Sequence, residues 1–167
     1  MLQETCYWST TVAVPVPGAE TALPPRADVV VIGGGYTGLA AARELALRGA
    51  RVTLLETRTL GWGASSRNGG MALVGLKLGP RKLLETYGHE LAQRMIGASR
   101  EAVAGVERLV AEEQIECDHV RCGHLELAYK PSHAPELEKE AEVLAREFNY
   151  RVRLVAKARL DTEIGSA

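Results

Sequence analysis

The hydrophobic pattern between residues 28 and 56 predicts a strand, a helix and a second strand. Residues 28–32 form a short β-branched run, typical of a strand buried on both faces of a parallel sheet. Residues 39–48 are rich in Ala and Leu and end at Gly49, which suits a helix C-terminus. Residues 51–56, Arg-Val-Thr-Leu-Leu-Glu, predict a second strand. This order predicts a βαβ unit, whose parallel strands are joined by a right-handed crossover.

The pattern of the second half changes from a helical period to an alternating one. Beyond Pro80, which suits a first helical position, apolar residues recur at steps of three and four. They predict one short and one long helix, ending near Gln114. Residues 122–129 and 151–154 alternate apolar and polar positions, which predicts two strands, and residues 137–148 between them predict an amphipathic helix. The apolar positions of the long helix are Leu91, Met95, Ala98, Ala102, Val106 and Leu109.

These elements predict an α/β fold with a Rossmann-like βαβ unit, followed by helices and the start of a second sheet. Four segments follow from them. They are an amino-terminal arm (1–27), the βαβ unit with a second glycine-rich loop (28–79), a helical segment (80–116) and the start of a further domain (117–167). We expect no regular element in the arm, because it contains the breakers Pro15, Pro17, Gly18, Pro24 and Pro25.

Composition and charge narrow the class of partner. The 167 residues carry 20 Lys and Arg against 21 Asp and Glu, so nothing favours nucleic acid or an anionic membrane. No apolar run approaches the roughly 18 residues of a membrane span. The N-terminus lacks the pattern of a signal peptide, and three cysteines do not suggest a disulfide framework. We therefore expect a cytoplasmic protein with a small-molecule partner, no nucleic acid and no membrane.

A glycine-rich turn follows the first predicted strand and matches the pattern G-x-G-x-x-G. Its glycines allow a tight turn, close approach of a pyrophosphate, and close packing of helix on strand. The helix start then presents N–H groups and partial positive charge to the phosphates. A carboxylate at the end of the second strand, 18 residues after the last glycine, is placed to bind ribose hydroxyls and disfavours NADP. The alternative for the glycine-rich turn is a turn that binds no ligand, and the alternative for the carboxylate is a solvated acid at the strand end. The candidate cofactor-binding residues are Gly33, Gly35, Tyr36, Thr37, Gly38 and Glu56.

A second glycine-rich loop, residues 61–70, favours a cofactor longer than NAD. Two neighbouring Gly and Ser turns have the length to follow the pyrophosphate, ribityl chain and ring of FAD. Serine hydroxyls can bind the cofactor by hydrogen bonds, an arginine can bind its phosphates, and glycines let the backbone approach it closely. The alternative is a surface loop that binds nothing. The candidate residues of this loop are Ser65, Ser66, Arg67, Asn68, Gly69 and Gly70.

Residues 28–71 resemble the FAD-dependent oxidoreductases of the D-amino-acid oxidase and glycine oxidase type. The resemblance lies in Val-Ile-Gly-Gly-Gly-Tyr-Thr-Gly-Leu-Ala-Ala-Ala and in Gly-Trp-Gly-Ala-Ser-Ser-Arg-Asn-Gly-Gly-Met. The chain is most similar to the gamma-glutamylputrescine oxidase branch, which residues 7–11 also resemble. Ser66 departs from that branch, which often has Gly there.

The resemblance implies an enzyme that oxidises a C–N bond of an amine or amino acid by hydride transfer to FAD, with oxygen reoxidising the flavin. It implies that the first loop and Glu56 hold the ADP part, and that residues 65–70 line the cofactor towards the flavin. No His occurs between Gly61 and Met71, so we expect non-covalent FAD. Family members are longer, so the resemblance implies that residues 117–167 are the truncated start of a substrate domain. We expect a missing C-terminal segment or partner chain to complete the site. The catalytic residues and the substrate are not predicted. The alternatives are a flavin dehydrogenase with another electron acceptor and a non-catalytic or split-enzyme dinucleotide-binding fragment.

A cysteine and histidine cluster in the second half is a weak candidate for a metal site. Its spacing, C-x-H-x₂-C-x-H, matches no common zinc motif. An extended strand from Cys122 would also carry the last histidine away from a closed tetrahedron. We therefore expect no metal and interpret the cluster as ordinary residues at a strand edge. Its members are Cys117, His119, Cys122 and His124.

Overall fold

The computed structural model of the chain describes residues 6–12 and 22–165. The chain divides into two compact units, Met1–Met71 and Ala72–Ala167. Within the described residues, no helix combines the length and apolar character that crossing a membrane requires.

The first unit is built on the predicted βαβ unit. Strand β1 (Val29–Ile32) precedes helix α2 (Tyr36–Leu47), and strand β2 (Val52–Leu55) follows it. The strands pair in parallel, with Ile32 opposite Leu55. The α/β class and the parallel pair are thus confirmed, although α2 begins three residues earlier than the apolar pattern indicated. Gly49 follows the helix with a φ of 88° and donates its N–H to the Ala46 carbonyl, as a helix-ending glycine does.

A one-turn helix, α1 (Trp8–Thr11), lies in the predicted arm. The expectation of no regular element there is wrong at these residues. The turn precedes all of the breakers in the sequence, so none of them interrupts it. The hydroxyls of Ser9, Thr10 and Thr11 each donate to the carbonyl three residues earlier. Pro15, Pro17 and Gly18 lie outside the described residues.

The second unit contains the predicted helices. Helix α3 (Pro80–Glu112) has Pro80 in its first turn and breaks at Gly88, whose φ of 74° and ψ of 171° are not helical. The prediction of one short and one long helix is therefore confirmed. Helix α4 (Ala134–Phe148) packs against α3, and α5 (Asp161–Ile164) follows. The buried core between α3 and α4 consists of Leu83, Ala92, Ile96 and Phe148.

The second predicted sheet does not form. No described residue after Leu55 belongs to a strand, so the strands predicted at 122–129 and 151–154 are wrong. A strand needs a hydrogen-bonding partner, and alternation in the sequence supplies only the pattern of faces. Without such a partner, the side chains of Tyr129 and Leu154 remain 78% and 57% exposed.

Candidate functional site

The register of the two strands brings the glycine turn and the predicted carboxylate to the same edge of the sheet. Because Ile32 lies opposite Leu55, the residues that follow them, Gly33 and Glu56, leave the sheet together. Gly33 donates its N–H to the Leu55 carbonyl at 2.8 Å and has a φ of 103°, which favours glycine. A Cβ on Gly38 would overlap the Gly33 carbonyl oxygen, so α2 can start this close to the turn only with glycine there.

The Glu56 carboxylate is held by backbone N–H groups. Its Oε2 accepts from the N–H of Gly34 at 2.7 Å, and its Oε1 accepts from the N–H of Arg58 at 2.9 Å. These bonds, that from Gly34 first, hold the pKa of Glu56 below its usual value. The side chain is therefore an anion at neutral pH, fixed in direction at the end of β2.

Gly34 is a site residue that the motif did not single out. It is buried, and a Cβ there would lie 2.5 Å from the Leu60 side chain and 3.3 Å from Oε2 of Glu56. A side chain there would therefore require the Leu60 and Glu56 side chains to shift. The run of three glycines was the only signal for this position, because Gly34 occupies a variable place in G-x-G-x-x-G.

The second glycine-rich loop contacts the start of α2. The Ser65 hydroxyl accepts the N–H of Tyr36 at 3.0 Å and would lie 3.0 Å from a Cβ on Gly35. The Gly61 N–H donates to the Gly34 carbonyl at 2.9 Å. The two predicted motifs are thus adjacent. Within the described part of the chain, the N–H groups of Thr37 and Gly38 form no hydrogen bond, as expected in the first turn of a helix.

Several predicted loop residues have hydrogen-bond partners within the loop itself. The Ser66 hydroxyl donates to the Gly61 carbonyl at 2.7 Å. The Asn68 side chain accepts from the Gly70 N–H at 2.8 Å and donates to the carbonyl of Ser65 at 2.9 Å. These bonds fix the shape of the loop around a 3₁₀ turn at Ala64–Ser66. The side chains of Ser66 and Asn68 therefore shape the loop.

The Arg67 side chain contacts Trp62 within the loop. Its Nε donates to the Trp62 carbonyl at 2.8 Å, and its guanidinium lies 4.6 Å from the centroid of the Trp62 ring. The guanidinium of Arg58 lies 4.1 Å from the same centroid. Trp62 is thus a contact for two cations, an arrangement that cation–π attraction stabilises.

Two residues of the predicted arm also reach the second loop. Cys6 donates to the Ser66 carbonyl, and Trp8 donates to the Asn68 carbonyl. The sequence pattern did not predict these contacts; the only signal was the likeness of residues 7–11 to the family branch.

The cysteines of the weak metal candidate, Cys117 and Cys122, are free and exposed. Among residues 6–12 and 22–165, no group of three or more His, Cys, Asp or Glu side chains is arranged to hold a metal ion.

Comparison with known proteins assigns the chain to a family. The family model described as FAD dependent oxidoreductase matches residues 28–165. The chain is 33% identical over 142 residues to the probable oxidoreductase OrdL of Haemophilus influenzae, covering 84% of this chain and 33% of that protein. It is 34% identical over 140 residues to gamma-glutamylputrescine oxidoreductase of Escherichia coli, covering 83% of this chain and 32% of that protein. Over 50 residues it is 48% identical to one component of the anaerobic glycerol-3-phosphate dehydrogenase of E. coli, covering 30% of this chain and 9% of that protein.

No solved structure gives a significant match. The chain spans about a third of the length of the first two of these relatives. Since the family model covers most of the chain, including both glycine-rich loops, the chain belongs to the FAD-dependent oxidoreductase family.

Proposed function

We propose that residues 33–70 bind the adenosine diphosphate part of FAD and lead the cofactor towards its flavin ring. The bond between the Gly34 N–H and Oε2 of Glu56 carries this proposal. It places a fixed carboxylate beside the start of α2, so an acceptor for ribose hydroxyls and a donor site for phosphate lie at one edge of the sheet.

The chemistry of these residues fits FAD, the cofactor of the family. The carboxylate of Glu56 is anionic and suits the two hydroxyls of a ribose, whereas it would repel a 2′-phosphate. The N–H groups of Thr37 and Gly38 have no partner within the described residues and suit phosphate oxygens. A side chain at Gly38 would overlap the Gly33 carbonyl, so glycine there keeps the start of α2 close to the turn that would hold the phosphates.

The second loop would continue the site beyond the phosphates. The Ser65 hydroxyl already contacts the first turn of α2, and it can donate its proton to a phosphate oxygen while it accepts from Tyr36. Gly69 and Gly70 allow close approach of backbone to the cofactor. Ser66, Arg67 and Asn68 would act by holding the loop in shape, as their internal hydrogen bonds indicate.

We infer that the whole protein oxidises a C–N bond of an amine or amino acid, with oxygen as the final acceptor. When FAD is bound, its ring supplies the site that accepts the hydride. The similarity to a gamma-glutamylputrescine oxidoreductase supports an amine substrate. We also propose a cytoplasmic setting, which the three free cysteines support.

A second candidate function is a flavin dehydrogenase that passes electrons to an acceptor other than oxygen. The similarity to one component of an anaerobic dehydrogenase favours it. Peroxide released during turnover of an amine would support the oxidase, whereas turnover that needs an added electron acceptor would support the dehydrogenase.

The test of the binding proposal is the visible absorption spectrum of the purified chain after FAD is added and unbound FAD removed. We expect wild-type protein to retain flavin and Gly35→Val to lose it, because a Cβ at Gly35 already lies 3.0 Å from the Ser65 hydroxyl. Gly35 has a φ of −83°, so the substitution causes no backbone strain.

The matched control is Gly97→Ala on α3, where a Cβ meets no atom within 4 Å. It should retain flavin as the wild type does. Equal retention by Gly35→Val and wild type would refute the assignment of the first loop.

A further inference from the structure

The amino-terminal turn, residues 6–12, lies on the second glycine-rich loop. The Cys6 thiol donates a hydrogen bond to the Ser66 carbonyl at 2.8 Å, and the indole N–H of Trp8 donates to the Asn68 carbonyl at 2.7 Å. Each bond joins residues 60 positions apart. The two donors therefore hold alternate carbonyls of the loop from outside it.

A hydrogen bond to a carbonyl also sets the direction of the next N–H group. In a trans peptide the C=O and the following N–H point in opposite directions, and no peptide among the described residues is cis. The bond from Trp8 to the Asn68 carbonyl thus turns the Gly69 N–H away from Trp8. Within the described part of the chain, that N–H has no hydrogen-bond partner. It is a backbone donor with a fixed direction.

One internal bond spans Gly69, from the Gly70 N–H to Oδ1 of Asn68, and it leaves the Gly69 N–H itself without a partner among the described residues. The side-chain bonds of Ser66 and Arg67 return to Gly61 and Trp62, which fixes the first half of the loop. Consecutive glycines have the largest backbone freedom, so ordering them for a ligand costs the most entropy. A contact that orders them before binding lowers that cost.

We propose that Cys6 and Trp8 are positioning residues for the cofactor: they hold the Ser66 and Asn68 carbonyls so that the Gly69 N–H faces FAD. This inference rests on the proposed function, in which residues 65–70 lie towards the flavin. It extends the site to residues that precede the βαβ unit.

The test compares the affinities for FAD and for ADP of the full chain carrying Trp8→Phe. Phenylalanine keeps an aromatic ring beside Tyr7, whose ring centroid lies 5.1 Å from that of Trp8, but it lacks the N–H donor. Loss of one hydrogen bond predicts a Kd for FAD about fivefold higher. The Kd for ADP should not change, since ADP would contact the first loop and Glu56.

Two further comparisons separate positioning from general destabilisation. Tyr7→Phe removes only the hydroxyl of a side chain that is 69% exposed, and it should leave both affinities unchanged. Cys6→Ala should weaken FAD binding, whereas Cys6→Ser keeps a donor to the Ser66 carbonyl and should restore it.

Hydrogen exchange of the chain without nucleotide gives an independent readout. Amides of residues 66–70 should exchange faster in Trp8→Phe than in wild type. Unchanged exchange together with unchanged FAD affinity would overturn the proposal, as would an equal loss of FAD and ADP affinity. If wild-type protein binds neither nucleotide, the proposed function fails, while hydrogen exchange still shows whether Trp8 orders the loop.

Discussion

Glu56 joins the end of β2 to the first glycine-rich turn, because its carboxylate accepts the Gly34 N–H. The spacing of the motif predicted a carboxylate at this place, and the structure places it there. Its bond to Gly34 could not be predicted, because the partner is fixed by strand register and not by the motif itself.

The lowered pKa of Glu56 predicts a pH-dependent contribution to stability. A carboxyl group whose pKa is lower in the folded chain stabilises fully above its unfolded-state pKa of about 4.3, and the effect is lost as pH falls through the native pKa. The free energy of unfolding of wild type minus that of Glu56→Gln should therefore be larger near pH 7 than near pH 3. Urea unfolding at both pH values measures it. If wild type and Glu56→Gln differed by the same free energy of unfolding at both pH values, the pKa of Glu56 would not be lowered in the folded chain.

At the scale of elements, the break in α3 rests on one glycine. Gly88 has a φ of 74° and a ψ of 171°, a region essentially confined to glycine, so Gly88→Ala should destabilise the chain by about 1–3 kcal/mol. Gly97 lies in the helical part of α3 with open space around it, so Gly97→Ala should stabilise by about 0.5–1 kcal/mol. Urea unfolding of both variants checks the opposite signs. Stabilisation by Gly88→Ala would mean that α3 is continuous.

The packing of α3 on α4 predicts that two Leu→Ala substitutions in α3 will lower the free energy of unfolding by different amounts. Leu83, before the break in α3, is 1% exposed in the core, whereas Leu91, after the break, is 43% exposed. Leu83→Ala leaves a cavity and should lower the free energy of unfolding by about 3 kcal/mol. Leu91→Ala removes a half-exposed side chain and should cost less than about 1 kcal/mol. Similar losses for both would place Leu83 outside a packed core.

The elements also show where a sequence pattern is sufficient. Helices satisfy their own backbone hydrogen bonds, so the period of apolar residues and Pro80 predicted α3 and α4 correctly. Strands β1 and β2 were predicted because a short crossover supplies each with its partner. The alternating segments at 122–129 and 151–154 have no such partner in the described residues, and they form no strand. The contact between residues 6–12 and the second loop also joins segments far apart in the sequence, so the sequence pattern did not predict it.

At the scale of the whole molecule, the ligand best suited to a test is ADP. The chain spans about a third of the length of relatives such as gamma-glutamylputrescine oxidoreductase, and we propose that its candidate site binds the ADP part of FAD. Both tryptophans, Trp8 and Trp62, belong to the first unit, so intrinsic fluorescence reports the unfolding of the part that holds the site.

We expect ADP at about 100 times its Kd to raise the free energy of unfolding by about 2.7 kcal/mol, because a ligand that binds only the folded chain stabilises it by mass action. Tryptophan fluorescence during urea unfolding measures this change. ADP that carries an additional 2′-phosphate should stabilise less at the same concentration, since the Glu56 carboxylate would repel that phosphate. Glu56→Gln should reduce that discrimination. Equal stabilisation of wild type by the two nucleotides would show that Glu56 does not face the ribose, and the adenosine would then have to lie elsewhere on the first unit.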